Sequence, residues 1–143
     1  MSEAILWGKG ETIILKEEIK KILPIFETYP KVKLVYLFGS RAKGKIGPLS
    51  DFDLAIFVDE PDKQKRFDLR VKIMDEVTRK LQTNRVDVCL LNDIQSSELK
   101  YNIIKEGELI FQREPFKVLI EPRILNQYFD FHQSLLRYGL TSL

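Results

Sequence analysis

The sequence predicts an α/β fold in a single domain, and three observations support this prediction. Apolar residues recur at helical spacing in several segments, and short β-branched runs separate these segments. The chain has 143 residues, of which 44% are apolar, and such a chain can bury one ordinary core but not two. No internal repeat or linker divides it. We therefore expect residues 1–143 to form one domain.

The first part of the chain predicts a helix, a strand, a turn and a second strand. Thr12 to Thr28 has apolar residues at helical spacing among lysines and glutamates. Val32 to Phe38 is β-branched and aromatic, which is typical of a largely buried strand. Ser40 to Ser50 holds glycine and proline among basic residues and indicates a short helix start followed by a loop. Asp51 to Val58 is predicted to be the second strand.

The remaining elements continue the alternation. A charged stretch that opens at Pro61 carries a helical apolar stripe and is expected to end near Thr83. Arg85 to Leu91 is predicted to be the third strand, and Asn92 or Asp93 can cap a helix that continues to about Lys105. A short strand, Glu108 to Gln112, follows Gly107, and the aromatic-rich segment from Pro115 to Tyr138 is predicted to be helical.

The composition excludes several classes of protein. Positive and negative residues leave a net charge of +2, so the basic excess of a nucleic-acid coat protein is absent and no stable nucleic-acid binding is expected. Cys89 is the only cysteine, which fits a reducing compartment. The N-terminal residues lack a signal-peptide pattern, and no apolar run approaches the roughly 20 residues that cross a bilayer. We expect a cytoplasmic protein that binds no membrane.

Asp51 and Asp53 are the first candidate functional residues. Side chains alternate along a strand, so these two carboxylates share one face and stand about 7 Å apart along it. That spacing suits a pair of divalent cations, and Mg²⁺ accepts a few carboxylates while keeping water and substrate phosphates as its other ligands. The alternative is a strand edge with two solvated acids.

Asp87 is the third candidate, because it interrupts an otherwise apolar strand. An unpaired charge buried there would be costly, so the pattern predicts a compensating group. A metal shared with Asp51 and Asp53 would compensate the charge. An ion pair with Arg85 or Arg41 is the alternative.

The turn Gly39-Ser40-Arg41 is the candidate phosphate-binding segment. It follows a buried strand directly, and a glycine there lets backbone N–H groups approach an anion closely. If Ser40 begins a helix, the helix dipole and the free N–H groups favour phosphate. Arg41 and the nearby lysines can add positive charge for a triphosphate. An ordinary strand-to-helix turn with solvated basic residues is the alternative.

Together these residues resemble the signature of the DNA polymerase β-like nucleotidyltransferase superfamily. That signature has an apolar residue and Gly-Ser, here Phe38 to Ser40, then ten residues, then Asp-x-Asp, here Asp51 to Asp53, and a later aspartate, here Asp87. Within the superfamily, the sequences GSRAKG and SDFDLAIF and the short chain are similar to the minimal nucleotidyltransferases. The resemblance covers about residues 32–111 and leaves a C-terminal helical tail, 115–143.

The resemblance implies a small mixed β-sheet flanked by helices, and an enzyme of the nucleotidyltransferase type. It implies that Asp51, Asp53 and Asp87 form the catalytic site and hold two Mg²⁺ ions. It also implies that the nucleotide is ATP. Gly39, Ser40 and Arg41 would bind its phosphates, and pyrophosphate would leave.

The resemblance further implies a partner, because many minimal nucleotidyltransferases are antitoxins that add AMP to a tyrosine of a HEPN-domain ribonuclease toxin. Two other functions stay open: an antitoxin that neutralises its toxin only by covering it, and a nucleotidyltransferase for a small molecule such as an aminoglycoside. The aromatic tail from Tyr128 to Tyr138 could supply a binding interface, although aromatic residues at helical spacing more often belong to a core. His132 in that tail is expected to be a packing residue.

Overall fold

A computed structural model describes residues 12–39 and 52–139, with side chains from residue 16 onward. Its helices and strands follow the predicted alternation, and a 3₁₀ turn at Leu91–Asp93 lies between β3 and α3. The elements are α1 Thr12–Glu27, β1 Val32–Phe38, β2 Phe52–Val58, α2 Lys63–Leu81, β3 Val86–Leu90, α3 Ser97–Glu106, β4 Glu108–Gln112 and α4 Phe116–Arg137. The predicted α/β class is confirmed.

The four strands form one mixed sheet in the order β3-β2-β1-β4. The pairs of β1 with β2 and of β1 with β4 are antiparallel, whereas β2 and β3 run parallel. The expected small mixed sheet flanked by helices is therefore present. In this order β3 and β4 are the edge strands. The end of β1 at Phe38 pairs with the beginning of β2, and the beginning of β2 pairs on its other side with the beginning of β3.

The side of the sheet covered by α1 and α2, hereafter the α1/α2 face, carries the larger core. Every second residue of β2 points to this face, and Phe52, Leu54 and Ile56 are almost completely buried there. Ile22 of α1 and Ile73 of α2 cover them and are themselves fully buried. Regular alternation along each strand thus produces one continuous apolar layer.

The opposite side, hereafter the α3/α4 face, has a smaller core that includes polar groups. Tyr36 of β1 is only 1% exposed, and its hydroxyl donates a hydrogen bond of 2.5 Å to Glu121 of α4. Burial, followed by this carboxylate, raises the pKa of Tyr36. Ile103 of α3 and Ile124 of α4 pack beside it. The Tyr36–Glu121 hydrogen bond therefore attaches α4 to the centre of the sheet.

The predicted start of the third helix was wrong, because α3 begins at Ser97 with Ser96 as its N-cap. The Asn92 side chain is engaged elsewhere: its amide donates 2.9 Å to the carbonyl of Val58 and its oxygen accepts 3.1 Å from the Val58 N–H. Asp93 forms a 2.7 Å ion pair with Arg66 of α2. Both candidate caps therefore bind groups far along the chain.

The expectation that the aromatic tail belongs to the core holds for only part of it. Tyr128 stacks on Tyr101 of α3 with a centroid distance of 4.0 Å. His132 stacks on Tyr128, which confirms it as a packing residue. In contrast, Phe129 is 52% exposed and Tyr138 is 70% exposed. Over the described ranges, the structure has no helix that is long and apolar enough to cross a membrane.

Candidate active site

Asp53 and Asp87 lie side by side at one end of the sheet. They are direct register partners in the parallel pair of β2 and β3. Neighbouring strands are about 4.8 Å apart, and register partners project to the same face. Both carboxylates therefore stand on the α3/α4 face, opposite the face that Leu54 helps to bury. The sequence predicted that these two acids belong together, and the sheet brings them together.

The sequence predicted that Asp87 is buried and therefore needs a compensating group, and the predicted burial was wrong. Asp87 is exposed rather than buried, because β3 is an edge strand and α2 covers only its other face. No ion pair joins Asp87 to Arg85 within the described segments. The position of Asp87 beside Asp53 is a better indication of its role than the energetic cost of burial.

Gly39 ends β1 in a conformation that favours glycine. Its φ angle is +82°, in the left-handed region, and it follows Phe38, the register partner of Asp53. A Cβ atom at this position would lie 2.4 Å from Oδ2 of Asp53. No larger residue fits without displacing the carboxylate. The predicted phosphate-binding turn thus begins in van der Waals contact with one of the predicted metal ligands.

Cys89 is a neighbour of the site that sequence reasoning treated only as a sign of the redox compartment. It lies two residues after Asp87 and therefore on the same face. Burial, and then the carboxylates of Asp87 and Asp53, raise the pKa of its thiol to about 11. The alternation of Asp87 and Cys89 along β3 was the sequence signal that could have identified it. Its pKa therefore reflects its burial first and the negative charge of the two acids second.

A small cavity borders Gly39 on the α3/α4 face. It has a volume of about 90 Å³ and lies between the end of β1 and helix α3. Its walls are mostly apolar, with an asparagine and a glutamate included: Phe38, Gly39, Leu99, Asn102, Ile103, Glu106 and Gly107. The end of the sheet that carries the acids therefore also offers a concave surface.

Three of the predicted site residues, Ser40, Arg41 and Asp51, lie outside the described residues. Within the described ranges, no group of three potential metal ligands is found, and the carboxylates that do meet are Asp53 and Asp87. Their chemistry fits Mg²⁺, which binds hard oxygen ligands and needs only one or two carboxylates from the protein.

Two acids on adjacent strand ends beside a glycine turn define a class of site suited to phosphoryl transfer. Comparison with protein families agrees with this class. The model of the family "Polymerase beta, Nucleotidyltransferase" matches residues 20–116, which include Gly39, Asp53 and Asp87. The chain belongs to this family, and the predicted resemblance is confirmed.

Comparison with individual proteins gives more specific similarities than the family does. The protein adenylyltransferase MntA of Aphanizomenon flos-aquae is 26% identical over 101 residues, and the match covers 63% of this chain and 63% of that protein. A complex of tri-AMPylated Shewanella oneidensis HEPN toxin with its MNT antitoxin contains a similar fold: TM-score 0.63, identity 19%, coverage 88% of this chain and 98% of that chain. A toxin–antitoxin complex with AMP-PNP gives a TM-score of 0.64 at 22% identity, with the same coverage.

Proposed function

We propose that this protein is a Mg²⁺-dependent nucleotidyltransferase that transfers AMP from ATP to a tyrosine hydroxyl of a HEPN-domain ribonuclease toxin and thereby acts as its antitoxin. The observation that carries the proposal is the register pairing of Asp53 with Asp87 beside Gly39 in a member of the nucleotidyltransferase family. The MntA relative and the toxin–antitoxin complexes support the acceptor and the partner.

In the proposed site Asp51, Asp53 and Asp87 hold Mg²⁺, and Gly39, Ser40 and Arg41 bind the phosphates of ATP. Bound Mg²⁺ would neutralise charge on the phosphates and orient them. Asp53 and Asp87 project in parallel from paired strands, which fix the backbone positions from which both carboxylates extend. Most of the expected rate enhancement comes from such positioning and charge neutralisation.

The transfer step is a displacement at the α-phosphorus of ATP. The acceptor oxygen forms a bond to this phosphorus while the bond to the bridging oxygen breaks, and pyrophosphate leaves with that bonding pair. The proton of the acceptor hydroxyl moves to the carboxylate of Asp87, which is the more exposed of the two described acids. Its exposure gives a second macromolecule access to it.

One further observation favours a direct binding role alongside catalysis. The C-terminal part of α4 has an exposed surface that carries Phe129 and Leu136 on one side of the helix and Phe131 on the other, with exposures of 52%, 45% and 47%. Large apolar side chains that remain half exposed are typical of protein interfaces. An antitoxin that only covers its toxin would use this surface without needing Asp53, and this difference separates the two functions.

The deciding experiment replaces Asp53 with asparagine. We expect Asp53→Asn to lower AMP transfer by more than about 100-fold. Removing a residue that only hydrogen-bonds to a metal ligand costs up to about 100-fold, and this change removes a proposed ligand itself. Transfer is measured with labelled ATP, Mg²⁺ and the HEPN-domain protein that copurifies with the chain, and mass spectrometry locates the label. Binding to that protein should be unchanged.

Asp59→Asn is the matched control, because Asp59 is an exposed carboxylate just beyond the opposite end of β2. It should leave transfer unchanged. If Asp53→Asn neutralises the toxin in cells as well as the unaltered chain does, the antitoxin acts by binding alone. Label on an RNA or a small molecule, with none on the HEPN-domain protein, would contradict the proposed acceptor.

A further inference from the structure

Strand β3 is an open edge of the sheet and carries Asp87. It pairs with β2 on one side and with no described strand on the other. The Phe52 N–H donates 2.8 Å to the carbonyl of Arg85, so Arg85 and Asp87 direct their backbone groups toward β2. In a parallel pair, alternate residues of one strand direct both backbone groups toward the partner strand, and the residues in between direct both groups away from it. Val86 and Val88 therefore present hydrogen-bonding groups to the outside.

One contact limits which of these groups remain available. The Arg70 guanidinium of α2 donates 2.6 Å from Nε to the carbonyl of Val88. A cation at an edge strand is a usual protection against indiscriminate strand pairing. Among the described residues, the N–H and carbonyl of Val86 and the N–H of Val88 have no such contact. The edge is thus closed at one carbonyl and open beside Asp87.

A groove runs along the same edge beyond Asp87. It has a volume of about 320 Å³ and wraps from helix α2 to the end of β3. Its lining comprises Lys63, Phe67, Arg70, Cys89, Leu90, Asp93 and Ile94. Phe67 is 53% exposed, and Val71, one helical turn further, is 41% exposed. Open backbone groups and exposed apolar side chains therefore occur together along one strip of the surface.

We infer that the acceptor protein binds by adding an extended segment to this edge, as a fifth strand beside β3. This inference rests on the proposed function and names how its substrate is held. An extended segment satisfies open backbone groups while its alternate side chains enter pockets beside the strand. Continuity with Asp87 identifies the occupant, because a segment on this edge lies directly beside a proposed catalytic acid.

The register of the sheet then places the reacting group. Asp53 and Asp87 are partners on neighbouring strands, and a residue paired with Asp87 from outside would continue that row on the α3/α4 face. Each step of the row is about 4.8 Å. A hydroxyl-bearing side chain at this register lies next to Asp87 without any further rearrangement. Its neighbours along the segment would point to the opposite face, toward Phe67 and Val71.

Charge in the groove also restricts the segment. Asp93 is already paired with Arg66 at 2.7 Å, so Lys63 and Arg70 make the field positive at the α2 side of the groove, away from Asp87. Acidic or neutral residues are therefore favoured over basic ones in the part of the segment that lies over Lys63 and Arg70. This preference follows from the two basic residues in the groove and not from the net charge of the chain, which is only +2.

The first test replaces Val86 with proline and uses Val86→Ala as the matched control. Proline removes the outward N–H but is tolerated on an edge strand. We expect Val86→Pro to raise KM for the copurified HEPN-domain protein about tenfold, which is the loss of one good hydrogen bond with some added strain. KM for ATP should not change. Val86→Ala should change neither constant by more than about twofold.

The second test does not depend on the proline variant folding. A photo-crosslinking amino acid at position 67 should label the partner segment that carries the modified hydroxyl, and Phe67→Ser should raise KM for the acceptor only. The same substitutions at Leu119, an exposed residue of α4, are the control. Crosslinks from position 67 that map to a part of the acceptor remote from the modified residue would overturn the inference.

The two proposals fail in different ways. Absence of AMP transfer by the unaltered chain refutes the proposed function. If the unaltered chain transfers AMP but Val86→Pro and Phe67→Ser both leave the KM for the acceptor unchanged, only the edge-strand inference is overturned. Hydrogen exchange gives an independent readout: the amides of Val86 and Val88 should become protected when the acceptor is added, and unchanged exchange would also count against the inference.

Discussion

The two faces of the sheet are built from the same strands but serve different purposes. In β2, Phe52 and Leu54 project to the α1/α2 face and are buried, whereas Asp53 between them projects to the α3/α4 face. One helix pair, α1 with α2, closes the first face completely over the described core. The second face is less covered at Asp53 and Asp87, where none of the described helices covers Asp87.

This difference indicates how a small domain accommodates a charged site. Carboxylates need water or metal ions, and burying them would cost several kcal/mol each by general estimates. Placing them on the less covered face lets the α1/α2 face supply most of the apolar burial. We therefore expect substitutions on the α1/α2 face to affect stability first, and substitutions at the open end of the α3/α4 face to affect activity first.

The largest stability effect should come from the α1/α2 face. Leu54 is fully buried between β2 and the helices, so Leu54→Ala should lower the free energy of unfolding by about 2–5 kcal/mol, the range for truncated core residues. Phe129→Ala, at a half-exposed position of α4, should lower the free energy of unfolding by less than about 1 kcal/mol. Urea denaturation measures both. Equal losses would show that the two faces do not differ in this way.

The next effect concerns the end of the sheet opposite the acids. Asn92 makes two hydrogen bonds to the backbone of Val58, and Asn92→Ala leaves both groups without that partner. We expect a loss of about 1–3 kcal/mol in the free energy of unfolding. Asn102→Ala, at an exposed position of α3, is the control and should change stability little. Similar values for the two variants would contradict the anchoring role of Asn92.

Gly39→Ala should separate stability from activity at the open end. The left-handed φ of +82° costs about 1–2 kcal/mol for a residue with a Cβ, and that Cβ would displace the Asp53 carboxylate. We expect a modest loss of stability together with a large loss of AMP transfer. Gly139→Ala is matched, because Gly139 has a φ of +67° and no atom within 4 Å of its Cβ position. Equal transfer by both variants would mean that the contact with Asp53 is unimportant.

The smallest effect is a pH dependence on the α1/α2 face. Burial, and then the hydrogen bond that the hydroxyl donates to Glu76, raise the pKa of Tyr29 to about 12. A folded pKa above the unfolded value of about 10 contributes stability below pH 10. That contribution is lost as the pH rises toward 12. Tyr29→Phe should therefore lose less stability than the unaltered chain between pH 10 and 12, as measured by urea denaturation at each pH.

Much of the fold could be predicted because its signals are local. The bounds of β1 and β4, Val32–Phe38 and Glu108–Gln112, follow from short apolar runs that end at glycine or polar residues. The start of α3 could not be predicted in this way. Asn92 and Asp93 have the side chains of helix caps, but they bind Val58 and Arg66, which are distant in sequence.

The sequence by itself predicted the residues of the candidate site, and it determined that Asp53 faces away from the apolar core, since alternation along a strand is a local property of the backbone. Only the tertiary structure decided that β3 lies next to β2, that Asp87 becomes the partner of Asp53, and that Asp87 is exposed at an open edge. The reason is physical. Strand order and register depend on contacts between segments separated by tens of residues, and no local pattern encodes which segments will pair.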